Sequence, residues 1–258
     1  MKKIRKSFFI TFAIVVICGL LVNKQVMAAD VSLTFGAGGE GQEMGAMDIM
    51  LLFLFLAVVP SVLVMMTSFT RIIIVLSFLR NALGTQTSPP NQILVGLSLV
   101  LTLFIMTPVI DQVNEISYQP YKEGVITRED ALRNAERPIK EFMLKQTEKK
   151  SLSLIMSIAK KELPEVPEDT EGTEAYMALS LTVVTPAFIL SELNRAFTMG
   201  FLIFIPFLII DMVVSSTLMS MGMVMLPPTM IALPFKIMLF VLVGGWDLVV
   251  KTLVQGFK

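Results

Sequence analysis

The sequence predicts an all-α, membrane-associated protein made of kinked helical hairpins. Of its 258 residues, 54% are hydrophobic and only 16% are charged, and the mean hydropathy is +0.75. Two uncharged runs of 18 residues, 49–66 and 93–110, are each long enough for a helix to cross the hydrocarbon core of a bilayer. Prolines such as Pro60 lie inside these runs, where they are expected to bend a helix without abolishing it.

The residue types present argue against most enzymes and metal proteins. The chain contains no His, and its one cysteine, Cys18, lies in the first apolar run. His is the commonest general base and metal ligand, and a lone thiol builds neither a disulfide nor a zinc site. The formal net charge is zero, and no basic patch follows the first six residues. We therefore expect no catalysis, no cofactor, no bound metal and no nucleic-acid partner.

Residues 1–28 are predicted to be a secretory signal peptide. Four of the first six residues are basic, Phe8–Val22 is apolar, and Ala28 supplies the small residue at the cleavage position. An uncleaved signal anchor is the alternative interpretation of the same pattern. The Gly-rich, polar stretch 29–47 is predicted to be a flexible extracytoplasmic tail.

Residues 48–110 are predicted to form an N-terminal hydrophobic helical hairpin with a cytoplasmic loop. Arg71 and Arg80 are the only charges between Met66 and Pro108. Because cationic residues favour the cytoplasmic side of a membrane, we interpret both arginines as anchors at the cytoplasmic headgroups. The same rule places the segment that follows the second apolar run outside the cytoplasm.

Residues 111–176 are accordingly predicted to be an extracytoplasmic helical segment. Thr127 followed by Asp130 resembles a capping box at the start of one helix, and Leu152–Leu163 shows the apolar spacing of another. Two helices of this size bury too little apolar surface to be stable alone. We therefore expect the segment to pack against other subunits.

Residues 177–258 are predicted to be C-terminal hydrophobic helices with a methionine-rich gating loop. Glu192 and Arg195 are three residues apart, which favours a charge pair on one helix. Asp211 lies 16 residues before Pro227 and Lys236 lies eight residues after Pro228, so an ideal hairpin would separate them by ~12 Å. Either the methionine segment is not helical or the partner charge belongs to another subunit, and both alternatives indicate a multi-subunit bundle.

Four methionines alternate with other residues in this C-terminal part: Met219, Met221, Met223 and Met225. Gly222 interrupts the alternation and Pro227-Pro228 ends it, which disfavours an undisturbed helix. An extended segment would point all four thioethers to one side and form a deformable apolar seal, since methionine is unbranched and flexible. The alternatives are core or lipid-facing filler, and soft-ligand copper binding.

Long strings in the chain resemble one known family. Thr185–Phe201, Leu226–Leu248, Phe78–Leu97 and Arg137–Thr147 are similar to the FliP proteins of the flagellar type III export apparatus and to their counterparts in virulence secretion. The resemblance covers roughly residues 46–256. The signal peptide and Gly-rich tail favour the flagellar branch; a virulence export gate and a small-solute or copper transporter are the alternatives.

The resemblance implies a non-enzymatic role in a hetero-oligomeric helical pore. Several copies assemble with FliQ and FliR, near FlhA and FlhB, in the inner membrane at the flagellar basal body. The assembly conducts unfolded flagellar subunits out of the cell, and much of the hydrophobic sequence is buried in protein and not in lipid. The resemblance also implies that Met221, Met223 and Met225, with Met219 as a further candidate, seal the pore, and that Asp211 and Lys236 pair between neighbouring subunits.

Overall fold

The computed structural model describes residues 46–85, 87–160, 176–223 and 225–257. The predicted signal peptide and nearly all of the predicted tail lie outside the described residues. Those that are described are predominantly helical, and they contain no β-strand. The all-α prediction is confirmed.

Nine α-helices and one π-helical segment make up the described chain. They are α1 (Ala46–Met65), α2 (Phe69–Leu83), α3 (Asn91–Val113), the π segment Asn114–Tyr118, α4 (Gln119–Lys122), α5 (Arg128–Gln146), α6 (Lys149–Ile158), α7 (Leu181–Ser220), α8 (Pro228–Leu242) and α9 (Gly245–Gln255). The chain divides into two compact units at the bond between Val59 and Pro60. The first unit is described only from Ala46, as the first part of α1; everything below concerns the second unit.

Among the described residues of the second unit, two helices are long and apolar enough to cross a membrane. One is the continuous stretch Asn91–Lys122, of 32 residues, and the other is α7, of 40 residues. A third crossing exists if α8 and α9, which meet at an angle of 63°, form one broken span. The first stretch continues twelve residues beyond the predicted end of the hairpin at Ile110, because the charges that follow end the apolar run but not the helix.

The core of the second unit lies between α2 and α7. Ile72 and Leu76 on α2 are fully buried, and Ala196 on α7 faces the same cluster. Residues 69–83, which carry Arg71 and Arg80, therefore form a core helix of the second unit. Apolar side chains recur along α2 at helical spacing, and α7 covers them.

A second apolar cluster joins α5 and α6 to the first half of α7. Met143 and Met156 are buried against Val184 and Phe188. The helices of the segment 111–176 thus find a core on α7 of their own chain. Thr127 caps α5 as the sequence indicates, since its side chain accepts a hydrogen bond of 3.2 Å from the amide of Asp130.

Candidate functional site

The methionine-rich stretch begins where α7 ends. Gly222 adopts a left-handed φ of +75°, a conformation that glycine adopts without a side-chain clash. Its amide donates to the carbonyl oxygen of Met219, and the amide of Met223 donates to that of Leu218, both at 3.0 Å. These two bonds form a Schellman motif, which terminates a helix and satisfies its last carbonyl groups. Gly222 is therefore the residue that ends α7.

Two prolines begin the next helix. Pro227 precedes α8 with an extended backbone, and Pro228 occupies its first turn. A proline there costs nothing, because an amide in the first turn has no partner within the helix. Residues 221–227, which we call the methionine loop, therefore connect two helices whose ends are both set by local sequence.

The methionine side chains are mostly exposed. Met219 and Met221 are each 65% exposed and Met225 is 96% exposed, while Met223 is half-buried. Met219 belongs to α7, and Met221 lies in the turn that follows it, so the expected extended segment is wrong. This chain does not cover the three exposed side chains, so they do not fill its own core; filler of a lipid-facing surface or of a subunit interface stays an alternative.

Asp211 and Lys236 form an ion pair within one chain. Lys236 is 5% exposed, and its Nζ lies 2.6 Å from Asp211 Oδ2. We expected this pair between neighbouring subunits because the two residues lie at unequal distances from Pro227-Pro228. The methionine loop belongs to neither helix, however. Asp211 lies nine residues before the end of α7 at Ser220, and Lys236 lies eight residues after Pro228, so the charges face each other.

One carboxylate oxygen of Asp211 is left without a hydrogen-bond donor in the described part of the chain, although Lys236 has a second partner. Lys236 Nζ also donates to the carbonyl oxygen of Ala82 in α2, at 3.1 Å. The second carboxylate oxygen of Asp211 is buried and has no hydrogen-bond partner within the described residues. A donor from outside the chain would satisfy it.

Their spacing of three residues predicted a pair between Glu192 and Arg195, but Glu192 pairs with another residue. It forms a bidentate ion pair with Arg71 of α2, with Nε at 2.9 Å from Oε2 and Nη2 in contact with Oε1. Both side chains are fully buried. Arg195 instead faces the α5–α6 junction, where it donates to Gln146 at 2.9 Å and approaches Glu148 at 3.6 Å.

Arg71 is therefore a core residue and not a headgroup anchor. Its guanidinium also donates hydrogen bonds to the carbonyl oxygen of Gly256, at 2.8 Å, and to Gln146 Oε1, at 3.1 Å. Burial lowers the pKa of Arg71, and the hydrogen bond to Glu192 opposes that shift. Arg71 is one of only two charges in a long apolar region, and such a charge usually has a partner. That signal could have indicated that Arg71 is a paired charge, although it does not indicate the partner.

The described residues hold no group of three or more His, Cys, Asp or Glu side chains that could bind a metal ion.

Comparison with known proteins places the whole arrangement in one family. The sequence model of the FliP family matches residues 52–253, which include the methionine loop and both ion pairs. The chain belongs to the FliP family. It is 54% identical over 209 residues to the flagellar biosynthetic protein FliP of Bacillus subtilis (strain 168), covering 81% of this chain and 90% of that protein.

Two further FliP proteins are similarly close. The protein of Pectobacterium carotovorum subsp. carotovorum is 50% identical over 220 residues, covering 85% of this chain and 81% of that protein. The protein of Aquifex aeolicus (strain VF5) is 48% identical over 220 residues, covering 85% of this chain and 89% of that protein. All three carry the name of a flagellar protein, which agrees with the flagellar branch of the resemblance.

Proposed function

We propose that this FliP-family chain is a core subunit of the flagellar type III protein export gate, which conducts unfolded flagellar subunits across the cell membrane. The observation that carries the proposal is the family match over residues 52–253, with flagellar FliP proteins 48–54% identical. Two helices capable of crossing a membrane support a membrane location, which we propose to be the inner membrane at the flagellar basal body.

The chain's surface supports assembly into a larger complex. Phe201 and Leu202 on α7 are 63% and 60% exposed, and Leu103 and Phe104 on α3 are 63% and 66% exposed. Apolar surface of this extent requires a cover of lipid or protein. We propose that several copies of the chain, together with FliQ and FliR, provide much of that cover, with FlhA and FlhB nearby.

We further propose that the methionine loop seals the closed pore. A seal must yield to many different side chains and close again against ions. Methionine suits that task because its side chain is apolar, flexible and polarizable. Support comes from the exposure of Met221 and Met225 in the loop and of Met219 at the end of α7, and from the fixed helix ends on either side of the loop.

Complementation tests the gate itself. The chain is expressed in Bacillus subtilis lacking its own FliP, and hook and filament subunits are measured in the cells and in the medium. We expect export and motility to return. A chain that enters the basal body while all export substrates stay in the cytoplasm would contradict a conducting role.

Substitution in the loop tests the seal. A variant with Met221, Met223 and Met225 all changed to Ala should assemble normally, because in this proposal the loop faces the lumen of the pore and not a subunit interface. It should leak ions, since water fills the gap that each lost side chain leaves in a pore. Met230→Ala is a matched control, because Met230 is 71% exposed but lies in α8, outside the loop.

Complex yield and membrane conductance are measured on the same preparations. The corresponding triple Leu variant keeps the apolar volume but is branched, so it should still seal while slowing export. An assembled triple Ala variant with no more leak than Met230→Ala would overturn the seal. Loss of assembly would identify the methionines as interface filler, because large-to-small core changes cost about 2–5 kcal/mol each.

A further inference from the structure

The two residues after α9 are half-buried, and their carbonyl groups contact buried side chains of the second unit. The carbonyl oxygen of Gly256 accepts a 2.8 Å hydrogen bond from Arg71 Nη1. The carbonyl oxygen of Phe257 accepts a 3.2 Å hydrogen bond from Gln146 Nε2. Two main-chain carbonyls at the end of a helix are thereby held by side chains of α2 and α5, where a surface helix end would be satisfied by water.

The Phe257 ring makes a second, independent contact with the same arginine. The Arg71 guanidinium carbon lies 3.7 Å from the ring centroid, which is the geometry of a cation–π interaction. The Phe257 ring also stacks with the ring of Phe142 in α5: the two rings are nearly parallel, at 17°, and their centroids are 6.4 Å apart. Phe257 therefore joins Arg71 to the apolar cluster formed by α5 and α7.

Little room is left for a side chain at position 256. A Cβ at that position would lie 3.0 Å from the terminal methyl group of Met199 and 3.5 Å from Arg71 Nη1. The flexible Met199 side chain would have to move by a few tenths of an ångström, whereas the distance to Arg71 is an ordinary contact. Arg71, in turn, is fully buried, and a buried guanidinium that loses an acceptor is strongly destabilising.

A second contact holds α8 on the same core helix. Lys236 of α8 donates to the carbonyl oxygen of Ala82, near the end of α2, whereas Gly256 contacts Arg71, near the start of α2. The bent pair of helices α8 and α9, which we call the C-terminal arm, is thus attached to both ends of one 15-residue helix. The methionine loop directly precedes this arm.

We propose that Gly256 and Phe257 are positioning residues that latch the C-terminal arm to Arg71 and thereby hold α8, and the methionine loop that precedes it, in place. The contacts of the latch lie within one chain, so amide hydrogen exchange tests them whatever the chain does. Only the expected effect on export rests on the proposed function.

Three variants separate a latch from ordinary packing. Phe257→Tyr keeps the aromatic face and should behave as the parent chain. Phe257→Leu keeps apolar volume but removes the face presented to Arg71. A chain ending at Gln255 removes both carbonyl contacts, and a chain ending at Phe257 is its control.

Amide hydrogen exchange is measured on the assembled complex in mild detergent. We expect exchange in α9 and in α8 to rise about tenfold in Phe257→Leu, corresponding to the ~1.5 kcal/mol of one charge-assisted hydrogen bond or cation–π contact. The chain ending at Gln255 should show a larger rise, and Phe257→Tyr and the chain ending at Phe257 should show none. Export measured in parallel should fall in the same order.

The outcomes are distinguishable. Unchanged exchange in α9 in Phe257→Leu and in the chain ending at Gln255 would overturn the latch. A rise confined to α9 would overturn its role in holding α8 and the loop, and equal effects of Leu and Tyr would identify plain packing. If the parent chain does not support export but the exchange pattern appears, the proposed function fails while the latch stands. If the chain ending at Gln255 does not assemble, Phe257→Leu still decides.

Discussion

Lys236 donates a 3.1 Å hydrogen bond to the carbonyl oxygen of Ala82, in the last turn of α2. Carbonyls in the last turn of a helix have no partner within it, and a cation there interacts favourably with the helix dipole. Because Lys236 also pairs with Asp211, one ammonium group joins α2, α7 and α8. The lysine is therefore both a cap for one helix and an ion-pair partner for another.

Replacing Lys236 by Met should destabilise the chain before it assembles. The change keeps most of the apolar stem of the side chain but removes the ammonium group, which leaves the Asp211 carboxylate and the Ala82 carbonyl without their donor. Breaking a buried pair costs about 3–5 kcal/mol, and Asp211, at 27% exposure, should bring the loss to the lower end of that range. Unfolding of the isolated chain by denaturant in detergent micelles measures it.

The reciprocal swap, Asp211→Lys with Lys236→Asp, is the companion experiment. It should restore only part of the stability, because a carboxylate in place of Lys236 would face the Ala82 carbonyl. An isolated Lys236→Met chain as stable as the parent, combined with lost assembly, would mean that the pair acts between subunits.

Glu192→Gln should be among the most destabilising single changes in the chain. It leaves the fully buried Arg71 without a counter-charge, at a cost of about 3–5 kcal/mol. Arg195→Ala is the comparison variant: it removes a 2.9 Å hydrogen bond to Gln146 and a 3.6 Å contact with Glu148 that is about one third exposed, so it should cost less, about 1–2 kcal/mol. The loss of stability in each variant is measured as the shift of its midpoint in denaturant-induced unfolding. If both variants lost the same stability, the result would favour the pairing of Glu192 with Arg195.

Gly222→Ala should cost about 1–2 kcal/mol, the penalty for an L-residue in the left-handed region. No atom lies within 4 Å of the added Cβ, so the cost is conformational and not steric. Gly96→Ala, inside α3 and equally unobstructed, should instead stabilise the chain by roughly 0.5–1 kcal/mol. The two midpoints should therefore shift in opposite directions, and shifts of the same sign would argue against the helix end at Gly222.

Gly200→Ala should separate α2 from α7. The added Cβ would lie 2.6 Å from the ring of Phe78, and overpacking of this kind costs about 1–3 kcal/mol. Small residues allow close helix contact in membrane proteins. Adding Phe78→Leu should recover part of the loss, although it removes the edge contact of Phe78 with Phe197 at 5.2 Å. If the double variant has the same yield and the same denaturant midpoint as Gly200→Ala, the clash with Phe78 is not the cause of the loss.

Local sequence was sufficient to predict the helices of this protein, two of their ends and its family. Apolar runs without charge predict the helices and their association with a membrane, since period and length are properties of neighbouring residues. Gly222 predicts where one helix ends and Pro227-Pro228 predict where the next begins, because glycine and proline each restrict or free the backbone at their own position. The long strings shared with FliP proteins predict the family, which the comparisons confirm.

Which groups meet was decided by the tertiary structure. Glu192 lies three residues from Arg195 but pairs with Arg71, 121 positions away, because the face of α7 that carries Glu192 packs against α2. Asp211 and Lys236 meet within the chain because the methionine loop adds length to neither helix. Helical periodicity shows which side chains share a face. It does not show which other helix covers that face, and a charge in an apolar interior pairs with the partner that this packing brings to it.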